Sequence, residues 1–490
     1  MIRDRSQPNL RVTPQRSAHQ QISILAAILV IASLGAYYWQ FLPTGSISRF
    51  DEYLTFDRSF NIIRHQDWFT IYLMDEPNFS KPPLHYWLTA LAMEHSSDLE
   101  FALRIWPFME GLMLLFCVGV FAYVLKPSTP FVLLLAVVMA SGSRHLWALS
   151  TSAMLDTGDA LFLTMTLISL LLSLRDPRYW YLVAFSISLG ALQKSPINLL
   201  MVIYVLTVLQ LFKRHHGIDI AEVVRNKHFR IAISLALLSV IIWPLVQVVR
   251  YDFSFMEHYY SGQILQRFSP SFGGHKVSFI KLLEWVVRPN PLCITLSLIL
   301  LPWAIRFVDR VHAIVMLSVV IAFFVLMTLA SGQIFHRYTL LIEPIFYAYL
   351  AVLVIRFVPN IKKALVLSLT AVLLTGSPLI GAKGFHKSQL EKFYPLLETY
   401  KGMVRPADRL VLCQFETGVR FVHPVAFKHF ATDHRSFKIL SKADDLKHLE
   451  GTTGRVLGLC TVEHYKKIKS GLKHPTILHE DVGHLIWRSD

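Results

Sequence analysis

Long apolar stretches alternate with short polar ones over most of the chain. Predominantly apolar runs lie near 21–43, 102–125, 130–149, 153–174, 179–193, 196–212, 231–249, 291–308, 311–330, 338–357 and 363–380. A run of roughly 18 or more such residues can cross the ~30 Å hydrocarbon core of a bilayer as a helix. The pattern therefore predicts a polytopic α-helical membrane protein with about eleven spans, those near 130–149 and 179–193 being short or interrupted. Two polar segments, 44–101 and 250–290, are long enough to carry function. The first reads as helical around 51–65 and 82–94, with the turn-rich DEPNFSKPP between. From about 381 the pattern changes to short β-like runs (RLVLCQF, RVLGLC, TILHEDVGHLIW) and a helix-like VEHYKKIKSG. This predicts a small α/β domain at 381–490 after a membrane part at 1–380.

Composition sharpens the reading. Hydrophobic residues make up 53% of the chain and charged residues 17%, against about 45–50% and 25% in ordinary soluble proteins. A disordered chain, a nucleic-acid-binding tail and a plain soluble enzyme are poor fits. The net charge of +15 is largely orientation charge. The connection KRHHGIDIAEVVRNKHFR, RFVDRVH and RFVPNIKK are basic, whereas loop 44–101 holds nine acids against four bases. Basic loops stay cytoplasmic, so the N-terminus is expected in the cytoplasm, and an odd number of spans puts loops 44–101 and 250–290 and the C-terminal domain outside. The N-terminal tail, with Arg3, Arg5, Arg11 and Arg16, has no cleavage site, so run 21–43 is expected to be an anchor. Of four cysteines, Cys413 and Cys460 lie in the C-terminal domain and can pair if it faces an oxidising compartment.

Several residues could carry chemistry. Asp51 and Glu52 open the first external loop, where adjacent carboxylates could form a base or a metal site, or simply be solvated. Lys81-Pro82-Pro83 precedes a helix, and Pro suits a helix start. Lys81 at that helix N-terminus suits a phosphate. Tyr86 and Trp87 suit either a ligand or the headgroup level. Asp156 and Asp159 open another span, where ionisable residues are costly and tend to be functional. Lys194 sits in a tight external turn, Arg267 in the second external loop, and His336, Arg337 and Tyr338 flank a span start. Each fits an interfacial anchor taken singly. Together they bring cations from several helices to one side of the membrane, where they could share an anionic ligand.

In order and spacing, Asp51-Glu52, Asp67-Trp68, Lys81-Pro82 and Tyr86-Trp87 resemble the first external loop of the polyprenyl-phosphate-sugar glycosyltransferases of the C-type fold. The nearest likeness is to the bacterial aminoarabinose transferases that modify lipid A and the protein O-mannosyltransferase-like group around them. Leu155-Asp156, Leu192-Gln193-Lys194-Ser195-Pro196, Trp243-Pro244, Gln266-Arg267-Phe268 and the stretch Ser331, Tyr338, Pro344 extend the resemblance over about residues 20–350. Thr55, Ser80 and Ile264-Leu265 stand where that family carries a tyrosine, an acid and a histidine.

The resemblance implies an inverting transfer from an undecaprenyl-type lipid phosphate to an acceptor at the outer face of the bacterial inner membrane. Lipid A or lipopolysaccharide is the expected acceptor. It implies Asp51 as base with Asp156 orienting it or sharing the acceptor. Lys81, Lys194 and Arg267 would bind the donor phosphate, and Glu52, Tyr86, His336, Arg337 and Tyr338 would be available to substrate. Metal dependence stays open, with a divalent cation allowed. The partners implied are the lipid-linked donor, a lipid or glycan acceptor and the membrane, without nucleic acid. Protein O-glycosylation on the same fold and a flippase of lipid-linked sugar are the alternatives.

Overall fold

The computed structural model describes residues 14–47, 50–261, 277–330, 334–374, 390–413, 422–440, 445 and 455–489. Arg267 lies outside them, as does most of the basic N-terminal tail. The membrane part begins with α1 (Pro14–Trp39) and then the first loop, which folds as α2 (Phe50–His65), a β1–β2 ribbon (Tyr72–Leu73 and Glu76–Pro77) and α3 (Leu84–His95). It continues with α4 (Leu99–Leu125), α5 (Val132–Ala140), α6 (Arg144–Ser150), α7 (Asp156–Ser173), α8 (Trp180–Gln193) and α9 (Ile197–Leu211). After two short helices come α10 (Lys227–Tyr251), α11 (Phe279–Val287), α12 (Pro291–Leu300) and α13 (Arg310–Leu329). A 3-10 turn, His336–Leu341, leads into α14 (Glu343–Phe357) and α15 (Ile361–Leu374).

Each of the eleven apolar runs contains helix, yet eleven spans do not result. Among the described residues five helices are long and apolar enough to cross a membrane. These are α1, α4, α7, α10 and α13, and there are six if α5 and α6, which meet at 70°, count as one broken span. The reason is length. α8, α9 and α14 have 14, 15 and 15 residues, and at 1.5 Å per residue these reach about 21–23 Å. Hydropathy alone does not show where a run is broken by a turn. The exterior of α10 carries Leu235, Leu238, Ile241, Ile242, Leu245 and Val249, each about half exposed or more. An apolar stripe of that size belongs against lipid. α7 is the opposite, buried along most of its length and packed against α4 and α8.

Local chemistry sets the helix ends near the site. α2 has Asp51 and Glu52 in its first turn and Arg64 and His65 in its last, each sign at the end its helix dipole favours. The Asp98 carboxylate accepts from the Phe101 N–H at the start of α4 (2.7 Å), and the Ser143 hydroxyl accepts from the Leu146 N–H at the start of α6 (3.1 Å).

The C-terminal region adds α16 (Tyr394–Met403), β3 (Arg409–Cys413), α17 (Pro424–Phe430), β4 (Phe437–Leu440), β5 (Val456–Thr461), α18 (Val462–Ile468), β6 (Thr476–Asp481) and β7 (His484–Ser489). The strands form one sheet in the order β4-β3-β5-β7-β6, parallel on the β4-β3-β5 side and antiparallel in the β5-β7-β6 half. Side chains alternate across it. Leu410, Leu412, Leu457 and Leu459 pack with α16 and α17, while Val411, Cys413, Val456 and Cys460 pack with α18. A disulfide joins Cys413 to Cys460 on adjacent strands. Gly458 is required where the Trp487 ring crosses its strand, since a Cβ there would lie 2.2 Å from that ring. The core on the α16–α17 face is continuous with the first loop: Ile47, Tyr53 and Phe56 belong to the same buried cluster as Phe427 and Leu457.

Candidate active site at the head of an apolar cavity

Asp51, Thr55 and Arg58 lie at i, i+4 and i+7 of α2 and so share one face. Thr55 Oγ1 donates to the Ala153 carbonyl (3.1 Å) and lies 3.4 Å from His85 Nε2. This ties α2 to the turn before α7 and to α3. His85 is fully buried, and burial pushes its imidazole down to about 3, so it is neutral at physiological pH.

At the start of α7, Asp156 and Asp159 are one turn apart and take Lys194 between them, with Nζ 3.0 Å from an oxygen of each. Burial works against the ammonium charge, but the two carboxylates outweigh it and hold the Lys194 pKa above its ordinary range. The Tyr338 ring faces Nζ at 4.7 Å. Arg337 closes the arrangement. Its Nη1 lies 2.9 Å from Asp51 Oδ2, its Nε lies 3.4 Å from Asp156 Oδ2, and its guanidinium is 4.2 Å from the Phe335 ring centroid. One side chain thus links the openings of α2 and α7.

Arg337 is positioned by a buried polar cluster behind it. Thr339, in the same 3-10 turn, sits 3.1 Å from His145 Nδ1, which is 3.0 Å from Glu343 Oε1. Ser143 and Tyr347 donate to Glu343 Oε2 at 2.6 and 3.4 Å. The His336 ring is 5.3 Å from that of His145.

A cavity of about 550 Å³ opens at this point. Leu200 and Met201 of α9 and Ile321, Val325 and Leu326 of α13 wall it, while Ser80, Lys81, Asp159, Lys194 and Tyr338 line its polar end. A long hydrocarbon fits the walls, and an anionic head group fits the end.

Two of the expected substrate contacts are instead part of the frame. Glu52 is buried, with Oε1 accepting from Arg104 Nε (3.3 Å) and from the Ala153 N–H (3.1 Å). Arg104 in turn donates to the Leu42, Thr44 and Ser46 carbonyls. A carboxylate at this depth is satisfied by holding the chain that leads into α2. Tyr86 is also fully buried, and its hydroxyl accepts from Arg58 Nη1 at 2.6 Å. Asp67 acts as a clamp: Arg250, near the end of α10, reaches its two oxygens at 3.0 and 2.7 Å, and the Phe69 carbonyl accepts from Gln247 at 2.7 Å. Sequence reading missed Arg58, although its helical register with Asp51 was a usable signal. It also missed the Glu343–His145 pair, which nothing local announces.

Among the described residues no set of three or more His, Cys, Asp or Glu side chains is arranged to hold a metal. Asp51, Asp156 and Asp159 each face a protein cation.

Residues 80–243, which include Lys81, Asp156 and Lys194, match the family described as dolichyl-phosphate-mannose-protein mannosyltransferase. The whole structure resembles ArnT from Cupriavidus metallidurans bound to undecaprenyl phosphate, with a TM-score of 0.74 at 13% identity over 94% of this chain and 97% of that one. The chain has the C-type glycosyltransferase fold. The apo state of the same ArnT gives a TM-score of 0.73 at 14% identity over 94% and 97% of the two chains. The oligosaccharyltransferase AglB from Archaeoglobus fulgidus, in complex with an inhibitory peptide and a dolichol-phosphate, gives 0.57 at 12% identity over 97% of this chain and 74% of that one. Among curated protein sequences none matches significantly. The family match over residues 80–243 lies within this fold.

Proposed function

We propose that this glycosyltransferase moves a sugar from an undecaprenyl-type lipid phosphate to an acceptor hydroxyl at the outer face of the bacterial inner membrane, with inversion at the anomeric carbon. The observation that carries this is the cavity: apolar walls between α9 and α13, ending on Lys81, Lys194 and Tyr338. A lipid tail would lie along the walls and its phosphate at the cations. Asp51 takes the proton of the acceptor hydroxyl as that oxygen bonds to the anomeric carbon. The bond from that carbon to the phosphate oxygen breaks, and its electron pair stays on the phosphate. Lys81 and Lys194, with Arg267, neutralise the departing phosphate.

Asp51 is ion-paired to Arg337 in this structure, so its carboxylate is engaged before the donor arrives. An incoming phosphate competes for Arg337 and so frees Asp51 when the donor is bound. Asp156 then orients Arg337 and Lys194.

The basic connections elsewhere in the chain support an outer position for the first loop, with the N-terminus in the cytoplasm, and the packing of the sheet domain on that loop supports a periplasmic position for the sheet. Lipid A or lipopolysaccharide is the preferred acceptor, in keeping with the net charge of +6 over residues 381–490 and with the likeness to ArnT. The family match over residues 80–243 supports a second reading, a protein hydroxyl as acceptor.

Replacing Asp51→Asn or Lys81→Ala should lower transfer from a lipid-phosphate-linked donor by about 10²-fold or more while leaving the protein in the membrane. Wild-type turnover in both variants would overturn the site. Mass spectrometry of lipopolysaccharide and envelope proteins from cells lacking the chain identifies the acceptor.

A further inference from the structure

Burying a cation is costly unless an anion accompanies it. Most deeply placed cations here obey that rule: Arg104 pairs with Glu52, and Lys428 lies 2.8 Å from Asp75. Arg58 does not. It is 6% exposed, and among the described residues no carboxylate lies within ion-pair distance of it. Its partners are all neutral: the Tyr86 hydroxyl at 2.6 Å, Asn78 Oδ1 at 3.0 Å and Ser80 Oγ at 2.7 Å. Its Nε has no acceptor, and its guanidinium lies 5.2 Å from the Tyr86 ring centroid. Ser80 is also part of the polar wall of the apolar cavity, next to Lys81. The unpaired charge therefore sits one side chain behind that wall.

We infer that Arg58 is a positioning residue for the donor phosphate: it fixes the Asn78–Ser80 turn that presents Lys81 and supplies the uncancelled positive charge of the cavity head. This rests on the lipid-phosphate reading above. The charges around the head support it. Lys194 and Arg337 are each paired with carboxylates among Asp51, Asp156 and Asp159, whereas Arg58 meets only neutral oxygens. A phosphodiester donor carries one negative charge. When the bond to the sugar breaks, the phosphate oxygen keeps the electron pair, and negative charge grows where this field acts. A guanidinium held by neutral acceptors retains that field, whereas one paired to a carboxylate would lose it.

The test measures binding of undecaprenyl phosphate and of the uncharged alcohol undecaprenol to the purified full chain. The wild type should prefer the phosphate by about tenfold or more. Arg58→Gln should lose most of that preference and Arg58→Lys should keep most of it. Asn78→Asp is the decisive variant, because it neutralises Arg58 while preserving its hydrogen bond and so keeps the fold even if Arg58→Gln does not. It should also lose most of the phosphate preference without a fall in Tm. A merely bracing Arg58 predicts an Asn78→Asp protein that binds phosphate as well as the wild type, and that result would overturn the inference. A wild type that binds alcohol and phosphate equally would instead overturn the lipid-phosphate reading itself.

Discussion

At the opening of α7, Gly158 separates the two acids that hold Lys194. A Cβ there would lie 2.2 Å from Gln193 Nε2 and 2.4 Å from Glu110 Oε1, which are hydrogen-bonded to each other at 3.0 Å. Gln193 immediately precedes Lys194, so pressure on one moves the other. Gly158→Ala should therefore cost about 1–3 kcal/mol in stability from overpacking and lower transfer more than expression, as thermal melts and donor turnover would show. A variant with unchanged turnover would mean that the Asp156–Lys194–Asp159 geometry tolerates displacement. Single residues show well what sequence can convey. Asp51, Lys81, Asp156 and Lys194 stand out because charge at the edge of an apolar run is conspicuous. Glu52 stands out equally and serves the frame, because only the approach of Arg104 from α4 decides what a carboxylate beside α2 does.

Among elements, the first loop is held by distant partners. Its turn at Asp67–Thr70 is held on α10 by Arg250 and Gln247, and the Tyr251 hydroxyl lies 3.2 Å from Thr70 Oγ1. Burial favours the neutral form of Asp67, but the Phe69 and Thr70 N–H groups and Arg250 outweigh it and hold its pKa below the usual carboxylate range. A carboxyl with a depressed folded pKa stabilises above its unfolded value and loses that contribution as pH falls through the folded one. The clamp should hold at neutral pH and weaken in acid, below about pH 4. Limited proteolysis of the first loop against pH would show this, with Asp67→Asn susceptible at all pH values. Equal protection of wild type and variant at pH 7 would show that the clamp carries no stability. The helices at 51–65 and 82–94 were readable from their polar-apolar spacing, and they fold as α2 and α3. Span number was not readable, since an apolar run has the same composition whether one helix crosses the bilayer or a turn breaks it.

At the scale of the whole molecule, the C-terminal sheet is coupled to the membrane part through α17. His429 Nε2 lies 2.7 Å from Asp57 Oδ1, and Phe56 and Phe60 pack on the His429 ring at 4.4 and 4.9 Å. Asp57 and Asp51 lie on the same helix, so the sheet braces the element that carries the proposed base. Removing residues 390–490 should expose Tyr53 and Phe56, lower the melting temperature of the membrane part and reduce transfer. Full activity in the truncated protein would make the sheet an independent appendage.

By itself the sequence determined the membrane class, the helical runs, the acidic first loop and most of the charged residues at the cavity head, because hydropathy and charge are local properties that each residue carries wherever it goes. Tertiary structure decided which charges cancel. Arg337 meets Asp51 from a distant segment of the chain, Lys194 reaches both acids of α7, and Arg58 meets only neutral oxygens. Ion pairing and desolvation depend on distances of a few ångströms between segments far apart in sequence, and only the packed helices set those distances.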